Sequence, residues 1–518
     1  MSYDTIVIGA GAAGAILAAR LTGDPKRSVL LLEAGPDFPD VESMPEEIRY
    51  AYGRENLWAR AFGQGTLYGW GYTAKATASA APMFVPRGRL VGGSTAINAN
   101  IFLRGVPEDY DEWAALGNDR WSFEELLPYF CRVERDVDFQ NPYHGNSGPI
   151  PVRRFHKEEW LVEHAAFYAA CRDAGYPHTD DHNAPDSTGV GALAHNNLGA
   201  LRWSTAIGFL NPARARPNLI IQANSLVHRV LFERKKAVGV LVECGGELTS
   251  IYAGEIIVSA GAIASPHLLL HSGIGPAYEL GRLDIEVIHD SLGVGKNLRD
   301  HPMVLPVLRT KLGVPINDCA PRIQVGLRYT ATGSPWRNDM FILTSSLATM
   351  AGFTTQALPM GFYLAPCLYR AAGAGHLWLT STDPHVQPAI DYNYLANPFD
   401  LARLREGMRV VLNLLEHPAF KEIVAERVSP ANEDLATEAA LDDWILRQVT
   451  TAHHSSGTCK MGPASDVMAV VDQFGKVHGV DGLRVADASL MPDCISANTS
   501  VTAMVIGERV ADMILQGQ

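Results

Sequence analysis

Long apolar runs, clustered basic residues and paired cysteines are missing from this sequence of 518 residues. No apolar run approaches the roughly 20 residues that a membrane-spanning helix needs, so we expect no transmembrane segment. Lysine and arginine form no cluster and the formal net charge is −13, which argues against nucleic-acid binding. Seven scattered cysteines without CxxC spacing argue against a disulfide framework and a structural zinc site, and we predict no metal site.

The N-terminus carries no recognisable export signal. Met1-Ser2-Tyr3-Asp4 enters a predicted strand directly, without a basic region or a cleavage site. Together with the sparse cysteines, this indicates a cytoplasmic protein with reduced thiols. Peripheral membrane contact and the oligomeric state stay open.

The composition supports a large folded core, because 47% of the residues are hydrophobic and only 19% are charged. The length favours two domains, which can be built from discontinuous segments. Apolar β-branched runs at residues 5–8 and 28–33 flank an Ala-rich helix at 12–21, which is a βαβ unit. Further helices are predicted at 123–135, 399–418, 434–447 and 500–515, and many short strands between 302 and 394. The class is therefore α/β, with a nucleotide-binding domain and an inserted α+β domain.

The sequence Gly9-Ala10-Gly11-Ala12-Ala13-Gly14 lies between the first strand and the first helix. In this G-x-G-x-x-G pattern the first glycine permits a tight turn, the second lets backbone approach a pyrophosphate, and the third lets the helix pack on the strand. Glu33 ends the second strand, where its carboxylate can accept hydrogen bonds from a ribose diol. The pattern predicts one bound dinucleotide and does not separate NAD from FAD.

Two longer motifs resemble the signatures of the glucose–methanol–choline (GMC) family of FAD-dependent oxidoreductases. Residues 88–98 (GRLVGGSTAIN), continuing to Phe102, Gly105 and Asp111, match the first signature. Residues 261–275 (GAIASPHLLLHSGIG) match the second, and matches at 144–145, 294–301, 454–458 and 483–489 extend the resemblance along the chain. The pattern is closer to bacterial choline dehydrogenase and hydroxymethylfurfural oxidase relatives than to fungal glucose oxidases.

The resemblance implies a Rossmann-type FAD-binding domain with an inserted α+β substrate domain. We place the FAD domain at residues 1–155, 190–300 and 450–518, and the substrate domain at 156–189 and 301–449. The FAD contacts that the resemblance and the glycine motif imply are Gly9, Gly11, Ala13, Gly14, Glu33, Ala34, Trp58, Arg89, Gly93, Ser94, Asn98, Ala99, Asn100, Ile101, Val227, Asp487, Ala488, Asn498 and Thr499. Ile97 stands where some members carry the histidine that links FAD covalently, so we predict non-covalent FAD.

The resemblance also implies the catalytic pair. His454 occupies the position of the family's base, and imidazole suits this role because its ordinary pKa lies near 6.5. Asn498 matches the second catalytic position, where its amide can hold the substrate oxygen. The helix that begins near Asn498 is expected to direct its N-terminal N–H groups at the flavin.

Competing interpretations of these residues are weaker. His453 is expected to line the cavity or pack beside His454, and a His453–His454 metal pair lacks further ligands. His454 with Ser455 does not indicate a hydrolase, because no G-x-S-x-G motif is present. Asp300-His301 is expected to support a loop. Asn498 can also cap its helix, which does not preclude catalysis.

The predicted function is oxidation of a primary alcohol to an aldehyde by hydride transfer to flavin. Methionine and aromatic residues between 340 and 368 favour an aromatic or apolar alcohol over a free sugar. The acceptor is either O₂ or a quinone or another redox carrier. Alternatives on the same fold are a lyase of the hydroxynitrile lyase type and a photodecarboxylase.

Overall fold

The computed structural model describes residues 2–53, 57–315, 317, 319–348 and 360–518, and the side chain of Trp58 lies outside this description. Two sheets organise the fold. The predicted α/β class, with a Rossmann-type part and a second α+β part, is confirmed.

The first sheet has seven strands. Its spatial order is Leu219–Gln222, Val29–Leu32, Ser2–Ile8, Glu247–Val258, Lys236–Cys244 and Ser225–Glu233, with Leu483–Val485 paired to Glu247–Val258. The pairs around Ser2–Ile8 and Val29–Leu32 are parallel, and the last two strands of the order pair antiparallel. All four residues of Val29–Leu32 are buried, as expected for a parallel strand covered on both faces.

The first and last helices of the chain pack together beside this sheet. A Cβ added at Gly507 would lie 2.7 Å from the carbonyl oxygen of Ala13, so glycine permits the close approach. Arg20 holds the fully buried carboxylate of Glu508 at 2.7 Å. These contacts hold the middle of the helix Thr499–Leu515 against the first helix of the chain.

The second sheet has eight strands and is antiparallel. Its order is Val424–Ser429, Val307–Thr310, Gly361–Leu368, Met340–Ala348, Val325–Tyr329 and Gly189–Ala192, and Pro302–Met303 joins Gly361–Leu368 to Thr450–Thr451. Alternate side chains point to opposite faces of a strand. Ile342 and Leu364 accordingly pack in the core beneath the helices Val162–Asp173 and Pro398–Leu414, whereas Leu343 and Tyr363 face a cavity.

The remaining elements surround these sheets. The other helices are Gly14–Leu21, Glu46–Arg49, Leu57–Phe62, Pro107–Ala115, Phe123–Val133, Asn211–Ala213, Gly261–His271, Ala277–Gly281, Pro418–Ile423 and Glu438–Gln448. Small sheets are formed by Tyr72–Ala74 with Met83–Val85, by Glu134–Asp136, Ile150–Arg154 and Ala194–His195, by Asn197–Leu198 with Leu201–Arg202, by Ile274–Gly275 with His289–Asp290, and by His376–Trp378 with Ala389–Asp391. In the described ranges no helix has the length and apolarity to cross a bilayer.

The helix predicted at 399–418 is confirmed except at its end, where residues 415–418 do not continue it. It ends at Leu414, and a new helix begins at Pro418. Proline disfavours helical backbone in the residue before it and has no N–H for an internal helix bond, so it starts a helix instead. Asn397 caps the first of these helices by accepting a hydrogen bond from the Phe399 N–H at 3.0 Å.

The proposed domain boundaries stay a prediction. The strand Gly189–Ala192, which crosses the boundary placed at 190, pairs with the second sheet. Part of the apolar stretch between 340 and 368, namely residues 349–359, lies outside the described residues.

Candidate functional site

A cavity opens where the carboxyl ends of the parallel strands meet the second sheet. Gly9, Glu33 and Ser259 follow three strands of the first sheet and form one wall. Leu343 and Tyr363 of the second sheet form part of the opposite wall. The crevice beyond the carboxyl ends of parallel strands is the usual ligand site of such a sheet.

The glycine-rich turn presents bare backbone to this cavity. A Cβ at Gly14 would lie 1.9 Å from the carbonyl oxygen of Gly9, so the helix starts tightly against the turn. A Cβ at Gly93 would lie 2.7 Å from the Cα of Gly11, so the two loops approach each other through their glycines. Such a cradle has room for a pyrophosphate against backbone N–H groups.

Glu33 is a buried acceptor at the nucleotide wall. One carboxylate oxygen accepts a hydrogen bond from the Ala10 N–H and the other from the Gly35 N–H, each at 3.0 Å. Burial raises the pKa of Glu33 to about 7, although these hydrogen bonds oppose the rise. Each oxygen keeps acceptor capacity, so the side chain fits the hydroxyls of a bound ribose.

Asp487 joins the last strand of the first sheet to the second signature motif. Its Oδ2 accepts hydrogen bonds from the Gly261 N–H at 2.8 Å and the Ser265 hydroxyl at 2.5 Å, and its Oδ1 accepts from the Ser489 N–H at 2.7 Å. The carboxylate therefore orders two loops that line the same cavity.

Most of the predicted cofactor residues come together in this cavity. Its wall includes Gly9, Gly11, Ala13, Glu33, Ala34, Gly93, Ser94, Asn98, Ala99, Ile101, Val227, Asp487, Ala488, Asn498 and Thr499. Gly14 lies behind the turn, the Arg89 guanidinium lies 5.2 Å from the Trp70 ring centroid, and the Asn100 amide donates to the Asn196 carbonyl. These three are outside the wall, and the Trp58 contact lies outside the described residues.

His454 lies in the cavity wall with its ring held from behind. Its Nδ1 is 2.8 Å from the Nδ1 of His301, and its backbone N–H donates to Asp300 at 2.8 Å. Burial lowers the pKa of His454 well below its ordinary value, and the nearby His301, His453 and Arg87 add to the effect. The imidazole is therefore neutral at pH 7.

The neighbours of His301 assign the protons on both rings. Burial lowers the pKa of His301 to about 3, so this ring is also neutral. The backbone of Ile495 lies beside this ring and favours its protonated form, which opposes the effect of burial. The Nδ1 of His301 faces the Nδ1 of His454, and a proton on Nε2 of His301, beside Ile495, assigns its Nδ1 as the acceptor of the Nδ1–H of His454. The Nε2 of His454 is then an unprotonated base without a hydrogen-bond partner among the described residues.

Asp300 holds the backbone on both sides of this pair. Its Oδ1 accepts hydrogen bonds from the N–H groups of His301 and His454, both at 2.8 Å. Its Oδ2 accepts from the Tyr394 hydroxyl at 2.7 Å and from the Thr451 hydroxyl. The carboxylate is buried and its four hydrogen bonds fix the loop that carries His454.

Asn498 stands at the N-terminal cap position of the helix Thr499–Leu515, and its side chain makes no capping bond. Its Oδ1 instead accepts a hydrogen bond from the Tyr369 hydroxyl at 3.2 Å. The Tyr369 ring stacks on His301 at 4.4 Å and meets His454 edge-on at 6.0 Å between centroids. Tyr369 thus contacts both members of the predicted catalytic pair and leaves the Asn498 amide N–H groups for a ligand.

Sequence reasoning missed several wall residues near His454. Arg87 donates from Nη2 to the Ser455 hydroxyl at 2.6 Å, and Arg322 also faces the cavity. Phe62 meets His453 edge-on at 4.7 Å. Arg87 immediately precedes the first signature and could have been included with it, whereas no spacing in the chain connects Tyr369 to position 498.

The seven cysteines are all free thiols. None of them belongs to the cavity wall in the part of the chain that the structure describes. Cys459 and Cys494, both close in sequence to the site, are buried, and burial raises the pKa of each thiol above its ordinary value. They are packing residues and not nucleophiles of this site.

The chain is similar to known proteins over nearly its whole length. A family model described as GMC oxidoreductase matches residues 3–303 with its N-terminal part and residues 372–507 with its C-terminal part. The chain is 35% identical to 5-(hydroxymethyl)furfural oxidase of Methylovorus sp. (strain MP688), covering 99% of this chain and 98% of that protein. It is 33% identical to oxygen-dependent choline dehydrogenase of Photobacterium profundum, covering 99% and 93%. The crystal structure of pyridoxine 4-oxidase from Mesorbium loti superposes with a TM-score of 0.91 at 27% identity, covering 99% of each chain.

Proposed function

The chain belongs to the GMC oxidoreductase family, and from this premise we propose that it oxidises a primary alcohol to an aldehyde with His454 as the base. The family uses FAD and acts on CH–OH donors. The observation that carries the proposal is that His454, whose pKa burial lowers well below its ordinary value, lies in the same cavity as the glycine-rich turn and Glu33.

His454 and Asn498 have separate roles at the substrate hydroxyl. The substrate hydroxyl gives its proton to Nε2 of His454, and the Nδ1–H bond to His301 keeps the ring oriented as charge develops. The Asn498 amide donates to the substrate oxygen, which steadies the alkoxide character of the transition state. When bound, FAD supplies the hydride acceptor.

The cofactor is held without a covalent bond. Gly9, Gly11, Gly93, Glu33 and Asp487 form its cradle. Ile97 is buried in an apolar cluster with Phe62 and Leu90 and offers no nucleophile.

Acid precipitation of the purified protein tests this. We expect the yellow colour to move entirely into the supernatant, as measured by flavin absorbance after centrifugation. Flavin that stays with the washed pellet would reject non-covalent binding.

Charge near His454 supports a neutral or anionic aromatic alcohol. Of the described wall residues, the carboxylates are Glu33 and Asp487, both at the nucleotide side, whereas Arg87 and Arg322 are cationic. A quaternary ammonium substrate such as choline would meet this positive charge, which the buried Asp300 carboxylate behind His454 offsets only in part. Pyridoxine and 5-(hydroxymethyl)furfural, which the relatives' names print, both carry a hydroxymethyl group on an aromatic ring. We expect alcohols of this type to be substrates.

The same names favour O₂ as the acceptor, since they include two oxidases and an oxygen-dependent dehydrogenase. A quinone is the alternative. Reoxidation of the reduced enzyme by air or by a quinone, with peroxide measured in parallel, distinguishes the two. Peroxide formed in step with aldehyde is the expected result.

The decisive experiment follows flavin bleaching in an anaerobic stopped-flow instrument with 5-(hydroxymethyl)furfural, pyridoxine, benzyl alcohol and choline. We expect the wild type to be reduced by an aromatic alcohol, and His454→Ala to keep its FAD but react roughly 10²–10⁴-fold more slowly. His376→Ala, which replaces a partly exposed histidine outside the cavity wall, is the control and should react normally.

Two outcomes would oppose the proposal. A flavin that no alcohol bleaches would favour non-redox lyase chemistry on this fold. Wild-type reduction rates in His454→Ala would remove His454 from the role of base.

A further inference from the structure

Three potential metal ligands converge at the edge of the first sheet, away from the catalytic pair. The Nε2 of His228 lies 2.7 Å from Oε2 of Glu243, and the Nε2 of His385 lies 2.8 Å from the same oxygen. The three ligand atoms all lie within 4.8 Å of one another. Their side chains are 16%, 25% and 54% exposed in the order His228, Glu243 and His385, so an ion in solution can reach them.

Local structure explains how residues so far apart in sequence meet. The register between the strands Ser225–Glu233 and Lys236–Cys244 shifts between Val227 and Arg229, which makes His228 a bulge residue. Bulges redirect a side chain relative to the regular pleat. His385 comes from the loop before the strand Ala389–Asp391, where its N–H donates to the Asp383 carboxylate at 2.9 Å.

The donor set selects a class of ion. Two imidazole nitrogens and one carboxylate oxygen are a common zinc ligand set, with a water in the fourth position. Ca²⁺ and Mg²⁺ prefer all-oxygen sites and are disfavoured here. The alternative to a bound ion is that both imidazoles donate N–H hydrogen bonds to Glu243.

We propose that His228, Glu243 and His385 bind one divalent transition-metal ion of the zinc class. Each imidazole coordinates through Nε2 as the neutral ring with its one proton on Nδ1, so only a ring that was doubly protonated releases a proton to solvent as the ion binds. Ligand atoms around tetrahedral zinc lie about 3.3 Å apart, given Zn–N and Zn–O bonds of about 2.0–2.2 Å. The two nitrogens must therefore move outward by about half an ångström, and exposed His385 is on a loop that permits this.

The position gives the ion a structural role. Both histidines line the cavity, and Val227, next to His228, is one of the predicted FAD contacts. The ion would tie the loop around His385 to the edge of the first sheet, beside the nucleotide part of the cavity. No local sequence pattern reveals this site, because its ligands come from three separate segments.

Equilibrium dialysis of untagged holoenzyme against zinc chloride, followed by metal analysis, tests the proposal. We expect one zinc ion per chain for the wild type and at least a tenfold loss of affinity in His228→Ala, His385→Ala and Glu243→Gln. His178→Ala is the matched control, because His178 pairs with one carboxylate, Asp180 at 2.9 Å, and should bind zinc as the wild type does.

A second measurement guards against misfolding of the variants. Thermal unfolding should shift upward with zinc in the wild type and not in His385→Ala, at equal flavin content in both. Zinc binding that is equally weak in the wild type and all three variants, or equally strong in all of them, would overturn the proposal. Magnesium chloride should produce neither binding nor a thermal shift.

Discussion

At the scale of single residues, the contact between His301 and His454 bears on which nitrogen acts as the base in the proposed mechanism. In that mechanism His454 donates from Nδ1, which leaves its Nε2 free, and His301 accepts with its own proton on Nε2, on the side of Ile495. His301 is therefore a positioning residue that acts through His454. Burial keeps the His301 ring neutral, and only a neutral ring has a nitrogen that can accept this hydrogen bond.

Substitutions of His301 should show whether the residue at this position must accept a hydrogen bond from His454. Glutamine can still accept the Nδ1–H of His454 through its side-chain oxygen, whereas leucine cannot. We expect His301→Leu to slow flavin reduction roughly 10²-fold and His301→Gln to slow it by less than about tenfold. Anaerobic stopped-flow reduction at saturating substrate measures this, and equal rates in the two variants would contradict the tautomer assignment.

The family resemblance was sufficient to identify the predicted base and its partner, but not the residues that support them. His454 and Asn498 sit in recognisable motifs, and both line the cavity. Tyr369 joins them through contacts between segments far apart in the chain, which no local pattern encodes. Asp300-His301 was visible as a motif, yet only the fold shows that His301 meets His454.

At the scale of elements, the approach of two glycine loops shapes the nucleotide cradle. Gly93 begins the short helical turn Gly93–Ala96, and Gly11 belongs to the turn after the first strand. A methyl group at position 93 would meet the Cα of Gly11 at 2.7 Å, a contact that backbone can relieve only by moving. The glycine-rich turn and the first signature are therefore one structural unit.

Gly93→Ala should lower FAD occupancy. The added methyl group pushes the two loops apart, and the left-handed backbone at this position, with φ of 51°, adds strain for any other residue. Purified Gly93→Ala should carry less than about half the wild-type ratio of flavin to protein absorbance. Gly281→Ala is the control, since no heavy atom lies within 4 Å of its added Cβ. Full occupancy in Gly93→Ala would show that the cradle tolerates separation of the loops.

The predicted helix boundaries lie close to the observed ones where a capping or helix-breaking residue was recognised, and they differ where such a residue was overlooked. The predicted helix at 123–135 is Phe123–Val133, capped by the Ser122 hydroxyl, which accepts from the Glu125 N–H at 3.3 Å. The predicted helix at 434–447 begins later, at Glu438, because Thr437 caps it. The pairing of the second sheet was beyond prediction, since several of its strands come from segments far apart in the chain.

At the scale of the whole molecule, the fold buries many histidines in their neutral form. Burial lowers the pKa of these rings below the ordinary value, and they are His164, His182, His195, His267, His271, His301, His453 and His454. His144 is the exception. Burial opposes its protonation, but hydrogen bonds to Asp136, Asp181 and Glu134 outweigh this and raise its pKa to about 10.

These shifts predict how stability depends on pH. A histidine whose pKa is lower in the folded state takes up its proton only on unfolding once the pH is below about 6.5, so unfolding becomes easier as pH falls. His144 has the opposite sign: its contribution is complete below about 6.5 and is lost as pH rises toward its folded value of about 10. Because the neutral, buried histidines outnumber it, their sign should dominate on the acid side.

We expect the urea midpoint of unfolding to fall clearly between about pH 7 and pH 5, a window in which most carboxylates stay ionised. Each buried histidine contributes at most about 1.4 kcal/mol of unfolding free energy per pH unit. His182, whose pKa burial lowers to about 3, lies within hydrogen-bond distance of the Gly191 and Gly326 carbonyls, to which a glutamine amide can also donate. His182→Gln should therefore flatten the pH dependence by up to that amount, and exposed His178→Ala should not. A midpoint that is constant over this window would mean that these rings are already protonated in the folded protein.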